Sequence, residues 1–181
     1  MLLRISDLPV EGVRIEKQLD PLKLKDLAAL QEAQEYAFEG PLDVRLRVMP
    51  ASGFFKVEGR VTGAVRTVCS RCLAPVELPV ESAFRLTFAR SAPGEDGEPP
   101  ENRELEAEEM GLVPFEGDAI DFRDVIQEQV IMALPMQVLC RENCRGLCPG
   151  CGANLNTEAC RCSRDDVDPR LAILKTLKRK S

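Results

Sequence analysis

Eight cysteines arranged as four close pairs constrain this chain more than any other feature: Cys69-x2-Cys72, Cys140-x3-Cys144, Cys148-x2-Cys151 and Cys160-x-Cys162. Four pairs make two complete sets of four. Zn2+ takes four thiolates tetrahedrally, usually as two close pairs that the fold brings together. In Cys148-Pro149-Gly150-Cys151-Gly152, proline fixes one φ angle and glycine permits positive φ, so the run reads as a turn around an ion. Three ways of joining four pairs into two sites exist. Loop length favours Cys148, Cys151, Cys160 and Cys162 as one site, because eight residues separate Cys151 from Cys160 and a short loop closes at little entropic cost. Cys69, Cys72, Cys140 and Cys144 then form the other, and the expected cofactor is two Zn2+, each held by four cysteines.

Disulfides are the rival chemistry, and they need an oxidising compartment. The stretch MLLRISDLPVEGVRIEK has no long apolar core followed by a small-residue cleavage site, so a cytoplasmic location and reduced thiols are expected. A thioredoxin-like redox pair is the second rival. Neither VCSRCL nor LCPGCG clearly sits at the strand-to-helix turn which that chemistry uses.

The chain has 181 residues, 44% of them apolar, with 30 acidic and 24 basic side chains and a formal charge of -6. That is enough apolar material for a true core, and the acidic balance argues against indiscriminate nucleic-acid binding. No apolar run approaches the roughly 18 residues of a membrane span. Histidine is absent, which removes the commonest general base and the commonest catalytic zinc ligand.

Along the chain, Val13 and Ile15 alternate with Arg14 and Glu16 as extended chain, and Asp20-Pro21 opens a helix expected to run to about Ala37. A period of two follows in Leu42, Val44, Leu46 and Val48, then in Phe55, Val57, Gly59 and Val61, with Gly63 expected to break the pattern before Val65, Thr67 and Cys69. Val76, Leu78 and Val80, then Phe84, Leu86 and Phe88, alternate again, placing Cys69 and Cys72 at a hairpin end. Phe54 and Phe55 with Arg60 and Arg66 could form a stacking platform for bases, but Phe55 is expected in the core.

Residues 91–111 hold eight acidic residues, three prolines and three glycines and read as a flexible acidic loop. The run IDFRDVIQEQVIMALP is expected to form a buried helix, apolar nearly all round, capped by Asp121 and ended by Pro135. Glu128 on it reads as a solvated carboxylate. Asp168-Pro169 opens a last helix with a basic end. From Cys140 onward there are nine basic and five acidic residues, and candidates for RNA contact are Arg145, Arg161, Arg164, Lys178, Arg179 and Lys180.

The fold class is therefore α+β: an antiparallel β-meander or partly closed sheet packed by helices, with a C-terminal cysteine-rich, zinc-ribbon-like module. Three segments are expected, a β domain over 1–118, a buried helix and connection over 119–139, and the cysteine module with its helix over 140–181.

The motifs LCRENCRGLCPGCGANLN, CRC, DPRLAILKTLK, CSRCLAPV and DFRDVIQEQVIMALPM together resemble the YceD family of large ribosomal RNA subunit accumulation proteins, over about residues 40–181. The resemblance implies metal binding at all eight cysteines, a nucleic-acid-binding character, and a role in making or retaining the RNA of the large ribosomal subunit. It supplies no catalytic residue.

The leading expectation is thus a non-enzymatic ribosome-assembly factor with no membrane or small-molecule partner, touching precursor large-subunit (23S) RNA or a basic ribosomal protein bound to it. A zinc-containing, redox-switched chaperone or thiol sensor is the alternative. A nuclease is disfavoured, since zinc ligated by four thiolates has no open position for water and no paired-carboxylate motif is present.

Overall fold

The computed structural model describes residues 1–90 and 112–162; the acidic loop at 91–111 and the last helix with its basic end lie outside the described residues. Among the described residues, two α-helices and eight strands follow one another as β1 (Leu2–Arg4), β2 (Val13–Leu19), α1 (Lys25–Glu32), β3 (Ala37–Phe38), β4 (Leu42–Ala51), β5 (Phe54–Val68), β6 (Pro75–Arg90), β7 (Leu112–Phe115), β8 (Ala119–Asp121) and α2 (Arg123–Ala133). The main sheet has the order β2-β4-β5-β6-β7, with β3 also pairing β5, and β1 pairs β8 separately.

Alternation decides the strands. In β4, Leu42, Val44, Leu46 and Val48 are buried while Asp43, Arg45 and Arg47 between them are exposed, as a sheet with one wet face requires. A two-residue turn, Ser52 and Gly53, both at positive φ, joins β4 to β5 in the way that matches strand twist.

β5 runs unbroken for 15 residues, so Gly63 does not end the strand as its sequence context suggests. The inner face of β5 reads Val57, Gly59, Val61, Gly63, Val65. A Cβ on Gly63 would lie 2.6 Å from a Leu42 methyl, and one on Gly59 would lie 2.2 Å from the Phe84 ring. Both glycines make room for a large side chain of a flanking strand.

β2, β4, β5 and β6 pair antiparallel, but β7 lies parallel to β6, with Thr87 opposite Leu112. The sheet is therefore mixed and curled rather than a pure antiparallel meander. Helix α1 is also shorter than expected. Asp20 caps a 3-10 turn at Pro21–Lys23, α1 stops at Glu32, and Gln34 takes a left-handed φ of 59°, which releases the chain into β3.

Helix α2 covers the sheet with Val125, Ile126 and Val130, while Ile131 and Met132 are exposed, so one face is buried and not the whole circumference. Phe122 packs edge-to-face on Phe88 at 5.7 Å, and Phe55 meets Phe115 at 5.8 Å in the same way, which places Phe55 against the core. Asp121 accepts the Arg123 N–H at 3.0 Å, satisfying a free donor of the first turn. The Arg123 guanidinium beside it holds the Asp121 carboxyl well below the usual carboxylate range. Glu128 is exposed. Among the described residues, no helix is long and apolar enough to cross a membrane.

Candidate metal centres

The turn between β5 and β6 is Cys69 to Ala74. It closes with the Cys69 N–H on the Ala74 carbonyl at 2.8 Å and the Leu73 N–H on the Cys69 carbonyl at 2.9 Å. The Cys148 turn repeats both bonds: the Cys148 N–H reaches the Ala153 carbonyl at 2.8 Å, and the Gly152 N–H reaches the Cys148 carbonyl at 2.8 Å. The residue after the second cysteine is left-handed in both, Leu73 at φ 59° and Gly152 at φ 74°. The two Cys-x2-Cys motifs are thus one structural unit used twice.

The structure brings the eight thiols together as two quartets, Cys69, Cys72, Cys140 and Cys144, and Cys148, Cys151, Cys160 and Cys162, with the sulfurs of each within 4.8 Å of one another. None is disulfide-bonded. In the inner quartet, Cys69 and Cys144 are 3.8 Å apart and Cys72 and Cys140 are 3.6 Å apart. In the outer one, Cys151 and Cys160 are 3.6 Å apart and Cys148 and Cys160 are 3.2 Å apart. A tetrahedral ion with bonds of about 2.3 Å to sulfur requires edges of about 3.8 Å. The inner quartet fits that figure closely and the outer is slightly compressed, so both donor sets can hold a metal ion.

Their surroundings differ. Cys69, Cys72 and Cys144 are buried among Ala74, Val76, Leu139 and Leu147, whereas Cys151 and Cys162 are exposed and only Cys148 is buried in the outer quartet. The inner site also joins remote parts of the chain. The Ser70 N–H donates to the Val138 carbonyl at 2.8 Å, the Val138 N–H donates to the Ser70 hydroxyl at 3.3 Å, and the Arg71 guanidinium donates to the Cys144 carbonyl at 2.9 Å.

Burial pushes the Cys69 thiol up, but backbone N–H groups led by that of Arg71 outweigh it and bring the thiol down to about 6. Cys144 is also lowered: burial opposes its ionisation, and the Asn156 amide leads the groups that overcome it. The bond to Cys72 raises Cys140 to about 12. In the outer quartet, Cys160 leads the donors that lower Cys148 to about 6, while the hydrogen bond that Cys162 makes to Cys151 leads the interactions that raise Cys162 to about 12. Crowded thiols divide into ionised and protonated members, and a bound cation would favour ionisation of all four.

Two residues at the inner site carry no signal in the spacing of the cysteines. Asn156 donates through Nδ2 to the Cys144 sulfur at 3.3 Å while its Oδ1 accepts the Arg145 N–H at 2.8 Å. Arg71 holds the Cys144 carbonyl and also accepts the Leu147 N–H on its own carbonyl at 3.0 Å. Asn156 lies between Cys151 and Cys160, so the outer loop contributes directly to the inner quartet. Of the RNA candidates, Arg145 and Arg161 are exposed beside the quartets, and Arg164, Lys178, Arg179 and Lys180 lie outside the described residues.

Comparison with known proteins adds the family. The model for "Large ribosomal RNA subunit accumulation protein YceD" matches residues 57–178. An uncharacterised protein of Mycobacterium tuberculosis is 35% identical over 133 residues, covering 74% of this chain and 60% of that one. The chloroplastic large ribosomal RNA subunit accumulation protein YCED homolog 1 of Arabidopsis thaliana is 25% identical over 160 residues, covering 78% and 50%. The protein YlbN of Bacillus subtilis is 26% identical over 138 residues, covering 76% and 74%. The chain thus spans 60% of the length of the mycobacterial relative. No solved structure matches it.

Proposed function

The chain belongs to the YceD family, and from that premise we propose that it is a non-enzymatic factor supporting accumulation of large-subunit (23S) ribosomal RNA in the cytoplasm, contacting precursor RNA or a ribosomal protein on it. The observation that carries the reading is the inner quartet, in which a sheet end and the cysteine-rich tail meet at one site. Zinc is the metal assigned to both quartets, because it accepts four thiolates without redox change and imposes no geometry of its own. Cys69, Cys72, Cys140 and Cys144 would hold one ion, and Cys148, Cys151, Cys160 and Cys162 the other. The metal's contribution is cohesion, since four thiolates leave no position for a reacting water.

The test is genetic and biochemical together. Cells lacking the protein should hold less 23S RNA relative to 16S RNA, and crosslinking should recover precursor large subunits with the wild-type protein. Unchanged large-subunit RNA in the deletion strain would reject the reading.

Exposure of Cys151 and Cys162 supports one further reading, in which peroxide oxidises outer thiolates, releases that metal and exposes a holdase surface. Retention of both metals under mild peroxide would remove it.

A further inference from the structure

The outer face of the main sheet carries a feature that folding does not explain. Strand register sets Arg14 of β2 opposite Arg47 of β4, Arg47 opposite Glu58 of β5, and Glu58 opposite Arg85 of β6. In the next row Glu16 faces Arg45, and Arg45 faces Arg60. Two Arg–Arg pairs therefore sit side by side on neighbouring strands, and like charges directly opposite destabilise a sheet. Lys56 adds a sixth cation beside them, and all six basic side chains are exposed.

Compensation within the sheet is slight. Arg85 approaches Glu58 at 3.6 Å and Arg60 approaches Glu81 at 3.1 Å, both in the open, where such pairs are weak and easily exchanged. Among the described residues, Arg14, Arg45, Arg47 and Lys56 form no ion pair. The neighbouring row, Gln18, Asp43, Thr62 and Glu81, has no cation, so the positive charge is local in a chain of net charge -6.

We propose that this face, centred on Arg14, Arg45, Arg47 and Arg60, binds the phosphate backbone of large-subunit ribosomal RNA. The inference rests on the RNA-contact form of the proposed function. These four arginines, with Glu16 and Glu58 between them, line a shallow groove of about 260 Å³, so the cations outnumber the carboxylates two to one. Neighbouring strands lie about 4.8 Å apart and alternate residues along a strand about 6.7 Å apart, which gives a regular lattice of cations suited to a chain of phosphates. Arginine's planar fork takes phosphate oxygens two at a time. A protein partner would want a buried apolar anchor at the centre of its footprint, and opposite Arg60 the outer face offers only the small side chain of Ala83. Phe54, at the start of β5 and 41% exposed, lies on the same face two positions from Lys56, where a splayed base can stack.

The experiment uses full-length, metal-loaded protein and a labelled transcript of large-subunit ribosomal RNA, titrated across salt concentrations. The variant Arg14→Gln/Arg45→Gln/Arg47→Gln should bind about 10- to 100-fold more weakly and flatten the slope of log K against log salt by about 2, at about 0.7 for each phosphate that an arginine no longer neutralises on single strands. Its metal content and Tm should match those of the wild type. The control Lys17→Gln/Lys23→Gln/Lys25→Gln removes the same charge elsewhere and should change binding far less.

Equal losses in the two variants, an unaltered triple-arginine variant, or a wild type that does not bind the transcript would each overturn the inference. So would a triple variant that keeps RNA and loses an acidic polyglutamate peptide. Failure of the face and failure of the proposed function separate cleanly. If the variant sediments with precursor large subunits as the wild type does, the face is wrong and the function stands. If deletion of the gene leaves large-subunit RNA unchanged, the function fails whatever the transcript shows.

Discussion

The sulfur of Cys144 lies 3.8 Å from that of Cys69, 75 positions away in the chain. One is held in the turn of a long hairpin and the other follows α2, so the contact ties two distant segments. The outer quartet ties only residues within its own loop. That difference sets the stability consequences.

Cys144→Ser should remove one metal and destabilise the protein by on the order of 3–5 kcal/mol, lowering Tm by roughly 10 °C for a chain of this size. Cys162→Ser should also remove one metal, with a loss under about 1 kcal/mol and the sheet intact. In excess chelator, native mass spectrometry should show the exposed outer site emptying first. Equal Tm losses for the two variants would contradict the hierarchy.

Asn156→Ala should weaken metal binding at the inner quartet about 10- to 100-fold, since groups that bond to ligands orient them and tune their basicity. The check is competition with a chromophoric chelator, and Asn156→Asp should retain neither the amide donor nor the affinity. Arg145→Ala, whose side chain is not the donor to Asn156, should leave the affinity unchanged.

Loading metal into the inner quartet at pH 7 should release at least two protons, because Cys72 and Cys140 are both raised above the ordinary thiol value and four thiolates are needed to hold the ion. The Cys69 thiol, lowered from 9.0 to about 6, contributes fully above its unfolded value and loses that contribution as pH falls through about 6. Metal affinity should therefore fall with decreasing pH and fall more steeply below about 6. Calorimetry in two buffers of different ionisation enthalpy measures the proton count.

Leu73 and Gly152 occupy the same left-handed position in the two turns, so exchanging the residue types should give opposite signs. Leu73→Gly relieves strain and should be neutral or stabilising by up to about 1 kcal/mol, while Gly152→Leu should cost about 1–2 kcal/mol. Thermal melts of the metal-loaded variants decide it.

Gly59→Ala should cost about 1–3 kcal/mol, because its methyl must displace the Phe84 ring. Phe84→Leu added to it should recover part of the loss. A double variant no better than the sum of the singles would show that the ring is not the obstacle.

The alternation of Leu42 to Val48 and of Phe84 to Phe88 was legible in the sequence because one face of each strand is buried and the other wet. The grouping of the thiols was legible too, since loop length and geometry favour the same quartets. Other features depend on what lies opposite in space. Gly63 reads as a break until Leu42 is seen to fill its place. The direction of β7 depends on a path through residues that carry no pairing signal. Helix α1 stops at Glu32 with no glycine or proline after it to mark the end. Asn156 becomes a partner of Cys144 only once the tail is folded back, and Arg14 and Arg47 become neighbours only when register is known.

The inner quartet also depends on the order in which the chain is made. Synthesis delivers Cys69 and Cys72 with their hairpin, but their partner thiols come only after α2. A chain cut short before Cys140 would have every described strand and no way to shut the clasp. Closure of that clasp is a chemical sign that synthesis has passed Cys144.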